Sequence, residues 1–105
     1  MIRIKKFNES QRFPTQVNSQ EFMKKKSTHK MVDFSYSEKK QVKEILRAKG
    51  KDFSFSNEFF EVFMRHKSIE VVKLNDEWYT IIEGSHGPYY ICDGFEEVLS
   101  YLKQL

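Results

Sequence analysis

The chain contains little cysteine and no long apolar stretch. Of its 105 residues only Cys92 is a cysteine, so no disulfide can form within the chain. A single cysteine is typical of proteins kept in a reducing compartment. The first six residues lack the apolar run of a secretory signal, and no segment approaches the roughly 20 apolar residues of a membrane-spanning helix. We therefore expect a cytoplasmic protein that does not associate with a membrane, in which Cys92 is a small buried apolar residue.

Sequence motifs of catalysis and of metal binding are also missing. His29, His66 and His86 are far apart, and none has a cysteine or a carboxylate at a metal-ligand spacing. The chain has neither a phosphate-binding glycine-rich motif nor a Gly-x-Ser-x-Gly sequence. Ser85 precedes His86, but adjacent side chains in an extended loop point to opposite sides and form no nucleophile–base pair. These observations predict a non-enzymatic protein with no cofactor and no metal site.

The last third of the chain has the clearest pattern. Aromatic and β-branched residues fill three short runs, which cover Ile69–Leu74, Glu77–Glu83 and Tyr89–Cys92. Asn75-Asp76 separates the first two runs and suits a tight hairpin turn. Gly84–Pro88 separates the last two and contains two glycines and a proline. The spacing predicts a three-stranded antiparallel meander.

An amphipathic helix is predicted directly after the meander, over Gly94–Gln104. Asp93 suits its N-cap, and Glu96 is placed to reach back to the Asp93 amide. One apolar face follows the helical i, i+3, i+4, i+7 spacing and consists of Phe95, Val98, Leu99 and Leu102. We expect this face to cover the Trp78/Ile82 side of the sheet, because Glu83 marks the opposite side as partly solvated.

The first 30 residues are polar and basic, with scattered apolar side chains. We expect residues 1–30 to be a loosely ordered basic segment, followed by a single α+β domain over residues 31–105. Ser19–Lys26 fits a short helix capped by Ser19, and a mobile or extended tail with a few anchoring side chains fits the composition as well.

Two helices are predicted between this segment and the meander. Ser35 and Glu38 have the spacing of a capping box, and Gly50 stands where a left-handed C-terminal cap is usually found. The phenylalanine-rich segment Asn57–Lys67 predicts a largely buried second helix. Alternation before it favours extended backbone over residues 53–55. The predicted fold is therefore α+β, with the three-stranded meander packed against a C-terminal helix and two preceding helices.

Charge is divided unevenly along the chain. Residues 1–52 contain 14 Lys and Arg against six Asp and Glu, whereas residues 53–105 contain four against nine, so the formal charges are +8 and −5. The basic half either binds an acidic partner or complements the acidic half, within one molecule or between copies. The candidates for nucleic-acid contacts are Lys24, Lys25, Lys26, Lys40, Lys43 and Arg47. The last three share one face of the helix that begins near Ser35; such a face can bind phosphates, and a solvated surface helix is the simpler interpretation.

Two patches of the sequence resemble small uncharacterised proteins of tailed bacteriophages. The first patch is Ile4-Lys5-Lys6-Phe7-Asn8-Glu9-Ser10. The second is Asp76-Glu77-Trp78-Tyr79, continued by Tyr89-Tyr90-Ile91-Cys92-Asp93-Gly94-Phe95 and a short leucine-rich helix. The resemblance implies a phage-encoded protein that acts in the infected bacterial cytoplasm or in the virion. It implies no activity and no site residues.

Three classes of function remain. We predict a small accessory protein that acts by binding a protein partner, because the chain is short, rich in aromatic residues and without catalytic motifs. The candidate interface residues belong to types enriched at interfaces and are Trp78, Tyr79, Tyr89 and Tyr90. Ordinary sheet packing is the alternative role for each of them. A nucleic-acid-binding protein that uses its basic N-terminal half is the second class, and an enzyme is the least favoured.

Overall fold

The computed structural model describes residues 12–75 and 78–105. Within these ranges the chain forms six strands and three helices. The strands are β1 (Thr15–Val17), β2 (Asp52–Phe55), β3 (Phe59–Phe63), β4 (Ser68–Lys73), β5 (Trp78–Glu83) and β6 (Tyr89–Asp93). The helices are α1 (Ser19–Thr28), α2 (Tyr36–Ala48) and α3 (Phe95–Lys103). The predicted α+β class is confirmed.

All six strands belong to one antiparallel sheet with the order β1-β6-β5-β4-β3-β2. Strands β2 to β6 form a continuous meander, and β1 pairs with the free side of β6. The predicted three-stranded meander corresponds to β4, β5 and β6, but it undercounts the sheet. Strands β2 and β3 extend the meander on one side, and β1 extends it on the other.

The helix predicted over Asn57–Lys67 is wrong, because this segment contains β3. Phe60 and Val62 are fully buried, whereas Phe63 is 45% exposed, which is the two-residue period of a strand. A run of consecutive apolar residues fits a buried helix and a strand equally well. Pairing with β2 on one side and with β4 on the other decides in favour of the strand. The extended backbone expected over residues 53–55 is observed in β2.

Local capping explains where α1 and α2 begin. The capping box predicted for α2 is observed: the Glu38 amide donates to Ser35 Oγ, and the Ser35 amide donates to Glu38 Oε1. Gly50, just after α2, has the expected positive φ of 69°. The helix expected over Ser19–Lys26 is observed as α1, although Asn18 and not Ser19 caps it.

The structure describes only part of residues 1–30, which were predicted to be a loosely ordered segment separate from the domain. Residues 1–11 lie outside the described ranges, and with them the Ile4–Ser10 patch. Residues 15–28 form β1 and α1, which belong to the same folded unit as the rest. The predicted boundary at residue 30 stays a prediction.

The residues predicted to cap α3, Asp93 and Glu96, are not the ones that do so. Asp93 closes β6, where it lies opposite Trp78 in the ladder, and is therefore held in extended backbone. Gly94 occupies the N-cap with a φ of 121° and provides no side-chain cap. Glu97, and not Glu96, reaches back and accepts a hydrogen bond from the Asp93 amide at 2.9 Å.

Different helices cover the two faces of the sheet. Helices α2 and α3 pack on the face that carries Val71 and Ile81, which we call the α2–α3 face. Helix α1 packs on the opposite face, the α1 face, where the Phe22 ring lies 4.8 Å from that of Tyr89. The main apolar core lies between the sheet and α2 and α3.

The prediction that α3 covers the Trp78/Ile82 side of the sheet is wrong. Phe95 of α3 lies against Tyr79, with 5.8 Å between ring centroids, so α3 covers the Tyr79 side. Glu83 is compatible with this arrangement because Lys67 and Tyr101 both bind its carboxylate. A satisfied carboxylate at the rim of the core therefore does not mark a solvated face.

Candidate binding surface

The structure divides the four aromatic candidates between the two faces of the sheet. Trp78 and Tyr89 are half-buried on the α1 face. Lys25 Nζ lies 3.5 Å from the centre of the Trp78 ring, and Phe22 packs on Tyr89. Helix α1 is therefore their neighbour within the molecule.

Tyr79 and Tyr90 lie on the α2–α3 face. Tyr79 is 3% exposed, and its hydroxyl donates to Glu38. Tyr90 is half-buried and packs against Tyr101 at 5.4 Å between ring centroids. The four candidates thus form no common exposed surface, and their contribution to partner binding stays a prediction.

Two carboxylates link the helices of the α2–α3 face to the sheet through hydrogen bonds. Glu38 accepts hydrogen bonds from Lys73 Nζ at 2.7 Å and from the Tyr79 hydroxyl. Burial by itself raises the pKa of Glu38, but the hydrogen bonds from Lys73, Tyr79 and Ser35 outweigh it, and the pKa lies below its usual value. This carboxylate is ionised at neutral pH and joins α2 to β4 and β5.

Glu83 has the same role for α3. Burial favours the neutral acid, yet hydrogen bonds from Lys67 at 2.6 Å and from the Tyr101 hydroxyl hold the pKa of Glu83 below its usual value. Burial and the same carboxylate raise the pKa of Tyr101. Both networks stabilise ionised carboxylates and neutral phenols, and they join α2 and α3 to the sheet.

The described residues contain no assembled catalytic or metal-binding group. In residues 12–75 and 78–105, no three or more His, Cys, Asp or Glu side chains come together in a way that could hold a metal ion. Cys92 is fully buried, and burial raises the pKa of its thiol, which disfavours the reactive thiolate. His66 and His86 are exposed. Within the same ranges, no helix is long and apolar enough to cross a membrane.

The six basic candidates form two groups on opposite sides of the sheet. Lys24, Lys25 and Lys26 belong to α1, on the α1 face. Lys25 contacts the Trp78 ring, and Lys26 Nζ lies 4.0 Å from a carboxylate oxygen of Glu70. Two of these three cations therefore have partners within the molecule.

The second group lies on the outer side of α2, around a shallow cavity of about 350 Å³. The cavity is lined by Tyr36, Lys39, Lys40, Lys43, Glu44 and Arg47. We call Tyr36, Lys39, Lys40, Lys43 and Arg47 the basic surface. Tyr36 is 81% exposed and was missed by the sequence analysis. Its spacing of four, seven and eleven residues from Lys40, Lys43 and Arg47 could have placed it on their helix face.

The basic surface borders the outermost strand of the sheet. Lys43 Nζ lies 5.5 Å from the centre of the Phe55 ring, and Arg47 Cζ lies 5.8 Å from that of Phe53. Both rings belong to β2, which ends the sheet on this side. The cations are thereby positioned over β2, because each contacts the negative face of an aromatic ring.

Comparison with known proteins gives no relative: no family model matches the chain, and no curated protein or solved structure is significantly similar to it.

Proposed function

We propose that this protein is a non-enzymatic accessory protein that binds a protein partner through the basic surface. The observation that carries the proposal is a group of four cations around one cavity, with the carboxylate of Glu44 among its lining residues. Among residues 12–75 and 78–105, no carboxylate forms an ion pair with Lys39, Lys40, Lys43 or Arg47, whereas Lys67 and Lys73 each pair with a glutamate. Four adjacent unpaired cations favour an acidic partner over a purely structural role.

The composition of the surface supports a protein partner. Tyrosine and arginine are enriched at protein interfaces, and Tyr36 and Arg47 lie on one helix face here. The ring contacts of Lys43 and Arg47 restrict these long side chains in advance, which lowers the entropy cost of ordering them on binding. The proposed setting is the cytoplasm of a phage-infected bacterium or the virion, and it rests on the resemblance of the two sequence patches alone.

Nucleic acid is the second candidate ligand of the same surface. Cations can neutralise phosphates, and an exposed ring such as Tyr36 can stack on a base. A helix of 13 residues is about 20 Å long, however, so α2 could contact only a few phosphates. Lys24, Lys25 and Lys26 lie on the other side of the sheet and cannot join the same contact. A protein partner is therefore the stronger proposal.

The proposal is tested by affinity purification of the tagged protein from its host, followed by mass spectrometry. The test variant is K40Q/K43Q/R47Q, and the matched control is K24Q/K30Q/K103Q, which removes the same charge at exposed positions outside α2. We expect a protein that co-purifies with the wild type and with the control but not with the test variant. Recovery of the same proteins with all three forms would contradict the proposal.

Fluorescence anisotropy with short single- and double-stranded DNA and RNA decides between the two ligands. If nucleic acid is the ligand, binding is micromolar or tighter at low salt and weakens steeply as salt rises, since each neutralised phosphate releases counterions. K40Q/K43Q/R47Q would then flatten the salt slope by roughly one unit per lost contact. We expect no such binding, and its appearance would replace the protein partner by a nucleic acid.

A further inference from the structure

One edge of the sheet is open in the part of the chain that the structure describes. Strand β2 pairs with β3 on one side and has no strand on the other. The Ser56 amide donates to the Phe59 carbonyl at 2.9 Å, and hydrogen-bonded pairs alternate with non-hydrogen-bonded pairs in an antiparallel ladder. Ser54 therefore bonds to β3, whereas the main-chain N–H and C=O groups of Phe53 and Phe55 point toward the open edge.

The two faces of this edge differ in charge. On the α2–α3 face, Lys43 and Arg47 lie over the rings of the two phenylalanines of β2. On the α1 face, β2 presents Asp52 and Ser54, and Glu61 lies opposite Ser54 in the ladder. A strand added to β2 would therefore meet cations on one face and acidic or neutral polar groups on the other.

We infer that β2 accepts an extended acidic segment of the partner as an additional antiparallel strand. Acidic side chains at every second position of this segment face the cations of α2, and neutral polar side chains at the positions between them face Asp52 and Ser54. The inference rests on the proposed function and specifies the class of its partner. Main-chain pairing provides affinity, and the alternation of charge provides specificity and register.

Two other occupants fit the edge less well. Side-by-side pairing of β2 from two copies of the chain would bring Lys43 and Arg47 of both copies together, and cations beside a sheet edge oppose such pairing. Residues 1–11 of the chain contain Arg3, Lys5 and Lys6 against the single acidic Glu9, so they lack the complementary charge.

Antiparallel pairing determines which main-chain amides of the added segment form hydrogen bonds with β2. Residues directly opposite Phe53 and Phe55 lie on the same face as these rings, and they direct both their N–H and C=O groups at β2. These residues are the acidic ones, because the same face carries Lys43 and Arg47. The amides of the intervening residues point away from β2 and make no contact with it.

The test uses the full chain and a fluorescein-labelled synthetic peptide of about eight residues that alternates threonine and glutamate, a length that spans β2 with a margin on each side. Two further peptides carry the same charge, with N-methyl groups either on the glutamate amides or on the threonine amides. We expect methylation of the glutamate amides to weaken binding roughly tenfold or more, because each methyl group removes a donor to β2. Methylation of the threonine amides should change the Kd by less than about twofold.

Charge variants complete the experiment. K43Q/R47Q should weaken binding of the alternating peptide about tenfold, whereas the control K24Q/K30Q, with the same change of charge, should leave it unchanged. A peptide with its threonines and glutamates in two blocks should bind more weakly than the alternating peptide, although its composition is identical.

The outcomes separate this inference from the proposed function. Binding that depends on Lys43 and Arg47 but tolerates both methylation patterns would support the basic surface and overturn strand addition. Loss of binding on threonine methylation alone would overturn the antiparallel register. No binding of the alternating peptide at about 1 mM, where a contact of ~4 kcal/mol is half-saturated, would overturn the inference, while affinity purification decides the proposed function independently.

Discussion

Glu38 takes part both in a local helix cap and in contacts with distant strands. Its side chain closes the capping box of α2 and also binds Lys73 of β4 and Tyr79 of β5. The side chains of Glu38 and Lys73 are only 13% and 16% exposed, so the ion pair is little weakened by solvent. One carboxylate therefore sets both the start of α2 and its position on the sheet.

Replacing Glu38 by Gln should lower the free energy of unfolding by about 1–3 kcal/mol at neutral pH, because charge-assisted hydrogen bonds to Lys73 and Tyr79 are lost. Chemical denaturation followed by circular dichroism measures this change. Glu44→Gln is the matched control, since Glu44 is exposed on the same helix. An equal loss in both variants would show that helix charge, and not the network, is responsible.

The pH dependence of this difference has a defined sign. The pKa of Glu38 is lowered in the folded state from the value of 4.5 that we take for the unfolded chain, so the stabilisation is present above pH 4.5. It is lost as the pH falls through the folded-state pKa. The difference in stability between wild type and Glu38→Gln should accordingly shrink as the pH falls from 4.5 to the folded-state pKa. A difference that grows toward low pH would contradict the network.

Phe60 and Phe63 distinguish a strand from a helix over the same residues. Phe60 is fully buried and Phe63 is 45% exposed, on opposite faces of β3. Phe60→Ala should cost about 3–5 kcal/mol of stability, and Phe63→Ala less than about 1 kcal/mol. Thermal or urea denaturation of both variants provides the measurement. Equal losses would be inconsistent with the alternation described here.

At the scale of elements, α3 is held by the residues that point to the sheet rather than by its caps. Leu102 and Val98 are fully buried, whereas Leu99 is half-buried at the rim of the core. The N-cap of α3, Gly94, provides no side-chain hydrogen bond. Packing must therefore contribute most of the stability of this short helix.

Leu102→Ala should destabilise the protein by about 2–5 kcal/mol, the range for a core leucine. Leu99→Ala removes the same atoms from the same helix at a half-buried position and should cost clearly less. The two variants are compared by urea denaturation at equal protein concentration. A larger loss for Leu99 would place the other side of α3 on the sheet.

Helix α1 is attached to the sheet by fewer contacts. Phe22 is its one buried side chain in the described structure and packs on Tyr89. Lys25 covers the Trp78 ring and Lys26 lies near Glu70. Two of the three lysines expected to bind nucleic acid at this helix thus contact side chains on the α1 face of the sheet.

At the scale of the whole molecule, the unpaired cations of α2 and two adjacent glutamates of the sheet lie on opposite faces. The unpaired cations of α2 lie on the outer side of the α2–α3 face. On the α1 face, Glu61 and Glu70 lie directly opposite each other on β3 and β4, an arrangement that is unfavourable by itself. Lys26 lies 4.0 Å from Glu70 and offsets part of this repulsion.

The six-stranded sheet predicts a single cooperative unfolding transition. Strand β1 is the outermost strand at one end of the sheet and β2 is the outermost strand at the other. All the described strands therefore share one sheet, and no part of the described chain has a separate core. Trp78, the only tryptophan, lies in the central part of the sheet and reports on it by fluorescence. Unfolding followed by Trp78 fluorescence and by far-ultraviolet circular dichroism should coincide. Separate midpoints would reveal an independently unfolding segment.

The sequence by itself determined the elements whose signals are local. The capping box and Gly50 marked both ends of α2, and turn residues with β-branched runs marked β4, β5 and β6. These features depend on contacts between residues at most a few positions apart, so they can be read from the chain.

Only the tertiary structure decided the features that depend on distant partners. Asn57–Lys67 has an apolar run that suits a helix or a strand, and hydrogen bonds to β2 and β4 make it a strand. The side of the sheet under α3 was decided by packing of this helix on Tyr79 and Ile81, and Lys67 and Tyr101 bind the Glu83 carboxylate beside it. The basic helix face could be read from the sequence, but its place beside the open edge of β2 could not. The position of β1 beside β6 depends on pairing between segments that are far apart in the chain, which no local pattern specifies.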